Sequence, residues 1–235
     1  MAHGKRYRKQ AGKVQRERLY PPAEAISLIK ETASAGFDET VELHLRLGVN
    51  VRHAEEQLRG TLALPHGLGK EVTIAVFAEG QQARDAEAAG ADFVGGQDLV
   101  EKVQEGWTDF DVAISTPDMM KAVGQLGRVL GPQGKMPNPK IGTVTEDIEK
   151  AVGESKAGKV EYRTDRQAIV HMAIGKASFD EQQLLENCLA VIDEVVRAKP
   201  SSSKGKYVLS ATLTTTMGPG IHLDAGARTK EPAIA

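Results

Sequence analysis

The sequence predicts an α/β protein in which a small, doubly wound parallel-sheet domain is inserted into an outer α+β domain. Two kinds of strand support this prediction. In the middle of the chain, residues 72–78 are almost continuously apolar, which is typical of a parallel strand buried on both faces. Toward each end, at residues 41–49 and 168–174, apolar and polar residues alternate, as in an antiparallel sheet with one open face.

The first part of the chain predicts a basic arm, one helix and one strand. The arm carries seven basic residues before position 19 against the single acid Glu17, and it lacks apolar periodicity. We therefore expect residues 1–20 to be flexible until a partner orders them. Two prolines at 21 and 22 then open a helix that ends at Gly36. The following strand buries alternate residues and exposes Glu42, His44 and Arg46.

The central part of the chain alternates strands and helices, which favours a doubly wound unit. A short helix at 54–58 and a brief strand at 61–64 precede it. The predicted elements of the unit are strands at 72–78, 93–94 and 112–114, and helices at 81–89, at 99–104 and from 117.

Residues 127–144, GRVLGPQGKMPNPKIGTV, are too rich in glycine and proline for an ordinary helix or strand, so we predict a rigid, irregular loop. Its charged residues are Arg128, Lys135 and Lys140, and no acid occurs between Asp118 and Glu146. A purely basic loop suits contact with a polyanion backbone. An ordinary surface connection with incidental lysines is equally compatible with this composition.

After a helix that ends near residue 155, alternation returns at 159–163 and 168–174, and we predict that these strands form a hairpin. The longest helix runs from Asp180 to about Ala198, with Val196 on its apolar side, and a threonine-rich strand follows at 207–217. The predicted domains are residues 1–67 plus 159–235, a discontinuous outer domain with an antiparallel split β-α-β sheet, and 68–158, an inserted Rossmann-like domain.

The net charge of −2 hides a segregation of charge, because the basic arm is followed by a strongly acidic region at 78–118. Cys188 is the only cysteine, so no intrachain disulfide can form, which fits a reducing compartment. No apolar run approaches the length of a signal peptide core or a membrane span. We therefore expect a cytoplasmic protein without a membrane partner.

No catalytic or metal-binding motif is present. Neither Gly134-Lys135 nor Gly69-Lys70 completes a phosphate-binding loop, and no G-x-G-x-x-G follows a strand. Cys188 lies among leucines and isoleucines, which favours a buried thiol over a nucleophile. The six histidines are scattered, so we expect no metal and no cofactor. Two function classes stay open at this point: a phosphate- or nucleotide-binding α/β enzyme and a DNA-binding regulator, the second favoured by the basic arm.

The threonines at 214–216 and Met217 precede a Gly-Pro-Gly break. Their hydroxyls and exposed backbone could bind a shaped RNA surface, including its 2′-hydroxyls. A run of threonines selected only for β-propensity has the same composition. Phe37 could likewise be an exposed stacking residue or a hydrophobic clamp on the core.

Taken together, the sequence resembles the L-one family of bacterial large-subunit ribosomal proteins over essentially its whole length. The most specific match is the loop at 127–144. The supporting matches are GKRYR at 4–8, FDETVELH at 37–44, LPHGLGK at 64–70, GADFVGG at 90–96, GKASF at 175–179 and TTTMGPG at 214–220.

The resemblance implies a structural ribosomal protein, not an enzyme, whose outer domain binds a junction of large-subunit ribosomal RNA. That complex would form the mobile stalk beside the exit site and assist release of deacylated tRNA. The resemblance also implies a translational repressor that binds its own operon mRNA. It assigns ribosomal RNA contacts to Phe37, Thr40, Glu42, His171, Lys176, Ser178, Thr214, Thr216, Met217, Gly218 and Pro219. The basic loop (Arg128, Lys135, Lys140) would face ribosomal RNA or exit-site tRNA, and the basic arm includes Lys5, Arg6, Arg8 and Lys9. The resemblance assigns no role to the tail, residues 224–235.

Overall fold

The computed structural model describes residues 4–224 and folds into two compact units. The outer unit combines the segment before Lys70 with the segment after Lys159, and the inner unit is Lys70–Lys159. Helices and strands are mixed in both units, which confirms the predicted α/β class. The tail to which no role is assigned lies outside the described residues beyond Asp224.

The helices and strands are numbered here in chain order. The α-helices are α1 Lys5–Ala11, α2 Pro22–Thr32, α3 Gln81–Ala88, α4 Gln97–Gln104, α5 Met120–Val123, α6 Gly127–Leu130, α7 Ile148–Lys156 and α8 Glu181–Arg197. The strands are β1 Thr40–Leu47, β2 Arg59–Ala63, β3 Ile74–Phe77, β4 Phe93–Gly95, β5 Val112–Ser115, β6 Lys159–Arg163, β7 Ile169–Lys176, β8 Val208–Thr215 and β9 Ile221–Leu223. Short 3-10 turns lie at Ala54–Glu56, Gly124–Leu126 and Pro139–Ile141.

The outer unit is built on a four-stranded sheet in the order β7-β1-β8-β9, with antiparallel pairing throughout. Helix α8 joins β7 to β8 on either side of β1, which confirms the predicted split β-α-β arrangement. Helices α2 and α8 pack together and cover one face of the sheet. The alternate apolar residues of β1 are at most 2% exposed on that face, whereas Glu42, His44 and Arg46 lie on the uncovered face.

Helix α8 begins with a capping box, in which Asp180 and Gln183 satisfy each other's backbone N–H groups. Cys188 is fully buried on its apolar side, and this burial raises the pKa of the thiol to about 12. The prediction of a buried thiol is therefore confirmed. Val196 is 50% exposed and does not belong to the apolar side, because consecutive helical residues point about 100° apart and its neighbour Val195, which is fully buried, faces the core.

The inner unit has a parallel three-stranded sheet in the order β4-β3-β5. Every residue of β3 is fully buried, with Ala75 and Phe77 in one apolar cluster and Ile74 and Val76 in another. This two-sided burial is what the uninterrupted apolar run predicted.

Three further local predictions are wrong. The arm is not without structure, because Lys5–Ala11 is helical and Tyr20 is buried beside β9, to which its backbone bonds. The loop at 127–144 is not wholly irregular, because Gly127–Leu130 forms a helical turn whose Leu130 enters the core. The glycine at the start of this short helix lowers its stability little, because burial of Leu130 in the core stabilises the helical conformation.

The third correction concerns the hairpin. Strand β6 pairs with β2, whereas β7 pairs with β1, so the two predicted hairpin strands lie in different sheets and are joined beside the turn by one antiparallel bridge, between Thr164 and Val170. The chain turns sharply between them, because the Asp165 carboxylate accepts the backbone N–H groups of Gln167 and Ile169, both at 2.8 Å. Ala168 follows with a left-handed φ of 61°. Among the described residues, no helix is long and apolar enough to cross a membrane.

Candidate RNA-binding surface

Eight of the residues that the resemblance assigns to RNA contacts meet at one end of the outer sheet. Register explains this, because Thr40 at the start of β1 faces Lys176 at the end of β7, while Val41 faces Thr215 at the end of β8. We call this end the Thr-Met-Gly edge; its members are Phe37, Thr40, Lys176, Ser178, Thr216, Met217, Gly218 and Pro219.

Hydrogen bonds hold the Thr-Met-Gly edge in one conformation. The Thr40 N–H donates to Thr216 Oγ1 at 3.0 Å, and the Thr216 N–H donates to the Thr40 carbonyl at 3.1 Å. Lys176 Nζ donates to Thr40 Oγ1 at 2.9 Å. Asp38 accepts both the N–H and the hydroxyl of Ser178, at 3.0 and 2.7 Å. The edge is therefore a preformed polar frame.

Two large apolar side chains project from this frame. Phe37 is 57% exposed and Met217 is 51% exposed. Phe37 is thus not a clamp on the core, which answers the question that the sequence left open. An exposed aromatic ring and an exposed thioether beside hydroxyls and backbone N–H groups can stack on and pack against unpaired bases.

A buried carboxylate lies next to the Thr-Met-Gly edge and binds its backbone. Glu39 is 1% exposed; its Oε1 accepts the backbone N–H groups of Ser34 and Ala35, both at 2.8 Å, and its Oε2 accepts that of Met217 at 2.9 Å. Burial raises the pKa of the Glu39 carboxyl, but the hydrogen bonds from Ala35, Met217 and Ser34 outweigh it and hold the pKa below its ordinary value. The ionised side chain ties the turn before Phe37 to the turn that carries Met217.

Sequence reasoning missed Glu39, although its position held a signal. Residues 39, 41, 43 and 45 alternate along the chain, so their side chains point to the same face of a strand, and the last three face the core. An acid whose side chain points toward the core needs hydrogen-bond partners there, so its presence indicates a buried polar site.

Glycine at position 218 allows the turn after β8 to pack closely against Thr215. A Cβ at this position would lie 2.3 Å from Thr215 Oγ1, which is closer than two non-bonded atoms can approach. Any larger residue would therefore displace either the buried Thr215 side chain or the Met217 turn.

The remaining predicted contacts continue from the edge onto the open face of the sheet. Glu42 faces Thr214 across β1 and β8, and His44 faces His171 across β1 and β7. The two Nδ1 atoms of the histidine pair are 2.8 Å apart, and Glu42 Oε2 is 3.6 Å from His44 Nε2. The structure thus brings all eleven residues onto one end and one face of a single sheet.

The histidine pair should make the stability of the outer unit depend on pH. Burial lowers the pKa of His44, the charge on His171 lowers it further, and Glu42 partly opposes both effects. In the folded state His44 thus binds fewer protons than the usual pKa of about 6.5 would allow. The folded protein should lose stability as the pH falls below that value. In urea unfolding at pH 7.5 and 5.5, His44→Gln should lose less stability between the two pH values than the wild type.

The exposed His53, in the turn before Ala54–Glu56, supplies the control variant His53→Gln. This variant should keep the pH dependence of the wild type. A His44→Gln protein with the full wild-type dependence would assign the effect to other groups.

In the inner unit, the three cations of the basic loop have different surroundings. Lys135 is half-buried; its Nζ donates to the Thr108 carbonyl at 3.0 Å and lies 5.4 Å from the Phe110 ring centroid. Arg128 and Lys140 are exposed. Lys135 therefore also holds the loop against its own unit, which the sequence did not suggest.

The basic arm carries its four named cations on α1, where Lys5, Arg6, Arg8 and Lys9 are all exposed. Lys13 Nζ donates to the Glu31 carbonyl at 3.2 Å, which fastens the end of the arm to the C-terminal turn of α2. Within residues 4–224, no three His, Cys, Asp or Glu side chains are placed to hold a metal ion.

Comparison with known proteins agrees with this picture. Residues 29–219 match the model of the "Ribosomal protein L1p/L10e family". The chain is 57% identical over 235 residues to the "Large ribosomal subunit protein uL1" of Thermobifida fusca, covering 100% of both chains. It is 58% identical over 224 residues to the protein of the same name from Beutenbergia cavernae, covering 95% of this chain and 94% of that one. Both relatives carry the name of a ribosomal protein. The chain therefore belongs to the L-one family of ribosomal proteins.

Proposed function

We propose that this protein is a structural constituent of the large ribosomal subunit and that its outer unit binds a helical junction of large-subunit ribosomal RNA. The observation that carries the proposal is the Thr-Met-Gly edge, where Phe37 and Met217 project from a hydrogen-bonded frame. The names of the two relatives support the ribosomal part of the proposal. We expect the protein to act in the cytoplasm, on the ribosome.

The edge is suited to RNA because of what it offers to a ligand. The major groove of an A-form helix is too narrow for side chains, so proteins recognise RNA by shape, by 2′-hydroxyls and by unpaired bases. Hydroxyl groups on Thr40, Thr216 and Ser178 can contact ribose and phosphate. The Phe37 ring can stack on one base, an interaction worth about 1–3 kcal/mol.

The finer proposals concern the ribosome's exit site and the protein's own message. The complex would form the mobile stalk beside the exit site, and the inner unit would present Arg128 and Lys140 to exit-site tRNA as it assists release of deacylated tRNA. The same edge would bind a similar junction in the operon mRNA and so repress translation. One surface can serve both RNA molecules because it recognises a folded shape.

A gel-shift titration against the stalk-junction RNA at two salt concentrations tests this function. The RNA should bind far more tightly than a DNA duplex of the same length, because DNA lacks both the 2′-hydroxyls and the junction shape. Equal affinity for the two would support a DNA-binding regulator and count against our proposal. The operon mRNA segment should compete for the same surface, more weakly or equally.

A further inference from the structure

A cationic site lies at the far end of the outer sheet from the Thr-Met-Gly edge. A cavity of about 620 Å³ is lined by Arg52, Arg163 and Arg166, together with Gln57, Thr164 and Asp165. We call it the three-arginine pocket. It contains no residue that the resemblance assigned to RNA.

The three guanidinium groups have no ion pair and no hydrogen bond within the part of the chain that the structure describes. Two other arginines of the outer unit have such partners, since Arg59 pairs with Glu161 and Arg18 with Glu24, both at 2.7 Å. Arg52, Arg163 and Arg166 are all exposed to solvent, and three positive charges around one cavity attract an anion. The clustering of these three arginines around one cavity, with no acid of this chain paired to them, points to an anionic ligand outside this chain.

The single acid of the pocket does not neutralise these arginines. Asp165 Oδ1 accepts two backbone N–H groups of the following turn, and Oδ2 lies 3.4 Å from His171 Nε2. Of the acids close by in sequence, Glu56 accepts the Asn50 N–H, and neither Glu55 nor Glu56 lines the cavity. The carboxylate that faces the pocket is thus already engaged by its own turn.

The pocket is continuous with the open face that carries the proposed contacts. A chain of polar neighbours runs from Glu42 to His44, from His44 to His171 and from His171 to Asp165. The Leu47 N–H binds the Ala168 carbonyl, so the pocket lies at the Leu47 end of β1. An eight-residue strand at about 3.3 Å per residue separates the two sites by about 23 Å.

We propose that the three-arginine pocket binds backbone phosphates of a second segment of the same folded RNA. Planar guanidinium groups bind phosphate oxygens through paired N–H donors. The cavity is much larger than one phosphate, so a stretch of RNA backbone fits it better than a free ion. A helical junction has several arms, and one arm would cross the open face while another reaches this pocket. This inference rests on the proposed function and adds to it a second, electrostatic contact with the same RNA.

The triple variant Arg52→Gln, Arg163→Gln and Arg166→Gln tests the inference. Each phosphate contact should contribute about 0.7–0.9 to the dependence of log K on log salt, so this slope should fall by about 2 to 3. At low salt, the affinity for junction RNA should fall at least about tenfold. The matched control, Arg84→Gln, Lys121→Gln and Lys150→Gln, removes the same charge from exposed positions of the inner unit and should change the slope little.

A site-directed cleavage experiment shows whether a separate RNA segment is involved. Cys188 is buried, so an iron chelate on Arg166→Cys or on Gly36→Cys labels one position only. The Gly36 site tolerates a side chain, since nothing lies within 4 Å of a Cβ built there. The two probes should cut different RNA segments.

The possible outcomes separate the inference from the proposed function. If the triple variant binds junction RNA with the wild-type salt slope, or if the Arg166→Cys probe cuts nothing, the pocket is not an RNA site while the proposed function stands. If the wild type itself does not prefer junction RNA to duplex DNA, both fall together. A reduced slope with two distinct cleavage sites supports the pocket.

Discussion

Met217→Asp should weaken binding of junction RNA at least about 100-fold, which corresponds to about 2.7 kcal/mol. The Met217 side chain is 51% exposed at the centre of the Thr-Met-Gly edge, so the substitution leaves the core intact. It removes an apolar contact and places a carboxylate where RNA phosphates and bases must approach. The far-UV circular dichroism spectrum and the urea unfolding midpoint should stay close to those of the wild type.

Two further variants show that the position, and not the change in charge alone, is responsible. Met217→Leu keeps an apolar side chain and should bind within about threefold of wild type, since the two residues are similar in volume. Val196→Asp adds the same charge to an equally exposed site on α8, in the helical layer of the outer unit, and should bind normally. A folded Met217→Asp protein with wild-type affinity would remove the edge from the binding surface.

Glu39→Gln should reduce RNA affinity at least about tenfold and also lower the free energy of unfolding by about 2 kcal/mol. The carboxylate accepts three backbone N–H groups through its two oxygens. An amide has only one oxygen, so in either orientation its NH₂ group faces an N–H donor, and a buried donor without a partner costs about 1–3 kcal/mol. The turn that carries Met217 should then lose its fixed position.

The affinity must be measured well below the melting temperature, so that loss of fold does not contribute. Hydrogen exchange of the Met217 amide supplies a second readout, and it should become faster in Glu39→Gln than in wild type. The control is Glu31→Gln, an exposed carboxylate 4.0 Å from Lys13, which should alter neither quantity. Unchanged protection of the Met217 amide together with unchanged affinity would show that Glu39 does not position the edge.

The positions of the cations explain why RNA binding should depend on shape at the Thr-Met-Gly edge and on charge at the three-arginine pocket. At the Thr-Met-Gly edge, Lys176 donates to Thr40, and Asp38 and Glu42 lie nearby. Net charge there is small, so binding at the edge should depend weakly on salt. The three-arginine pocket has the opposite character, and so the two ends of one sheet should differ in their response to ionic strength.

Much of the fold could be predicted from periodicity alone. The alternation at β1 and β7 indicated strands with one open face, and the uninterrupted run at β3 indicated a strand buried on both faces; both strand types are found. Periodicity reports which face of an element is buried, because it depends only on residues close in sequence. It does not report which strand pairs with which, and this is why β6 and β7 were wrongly joined in a hairpin.

The amino-acid sequence by itself determined the α/β class, the buried thiol of Cys188 and, through its long motifs, membership of the L-one family. Only the tertiary structure showed that Glu39 is a buried anchor, that Lys135 also holds its own loop, and that three arginines without partners line one cavity. The physical reason is that each of these depends on atoms brought together from distant parts of the chain. Ser34, Glu39 and Met217 form one hydrogen-bonded unit although 178 residues separate Glu39 from Met217.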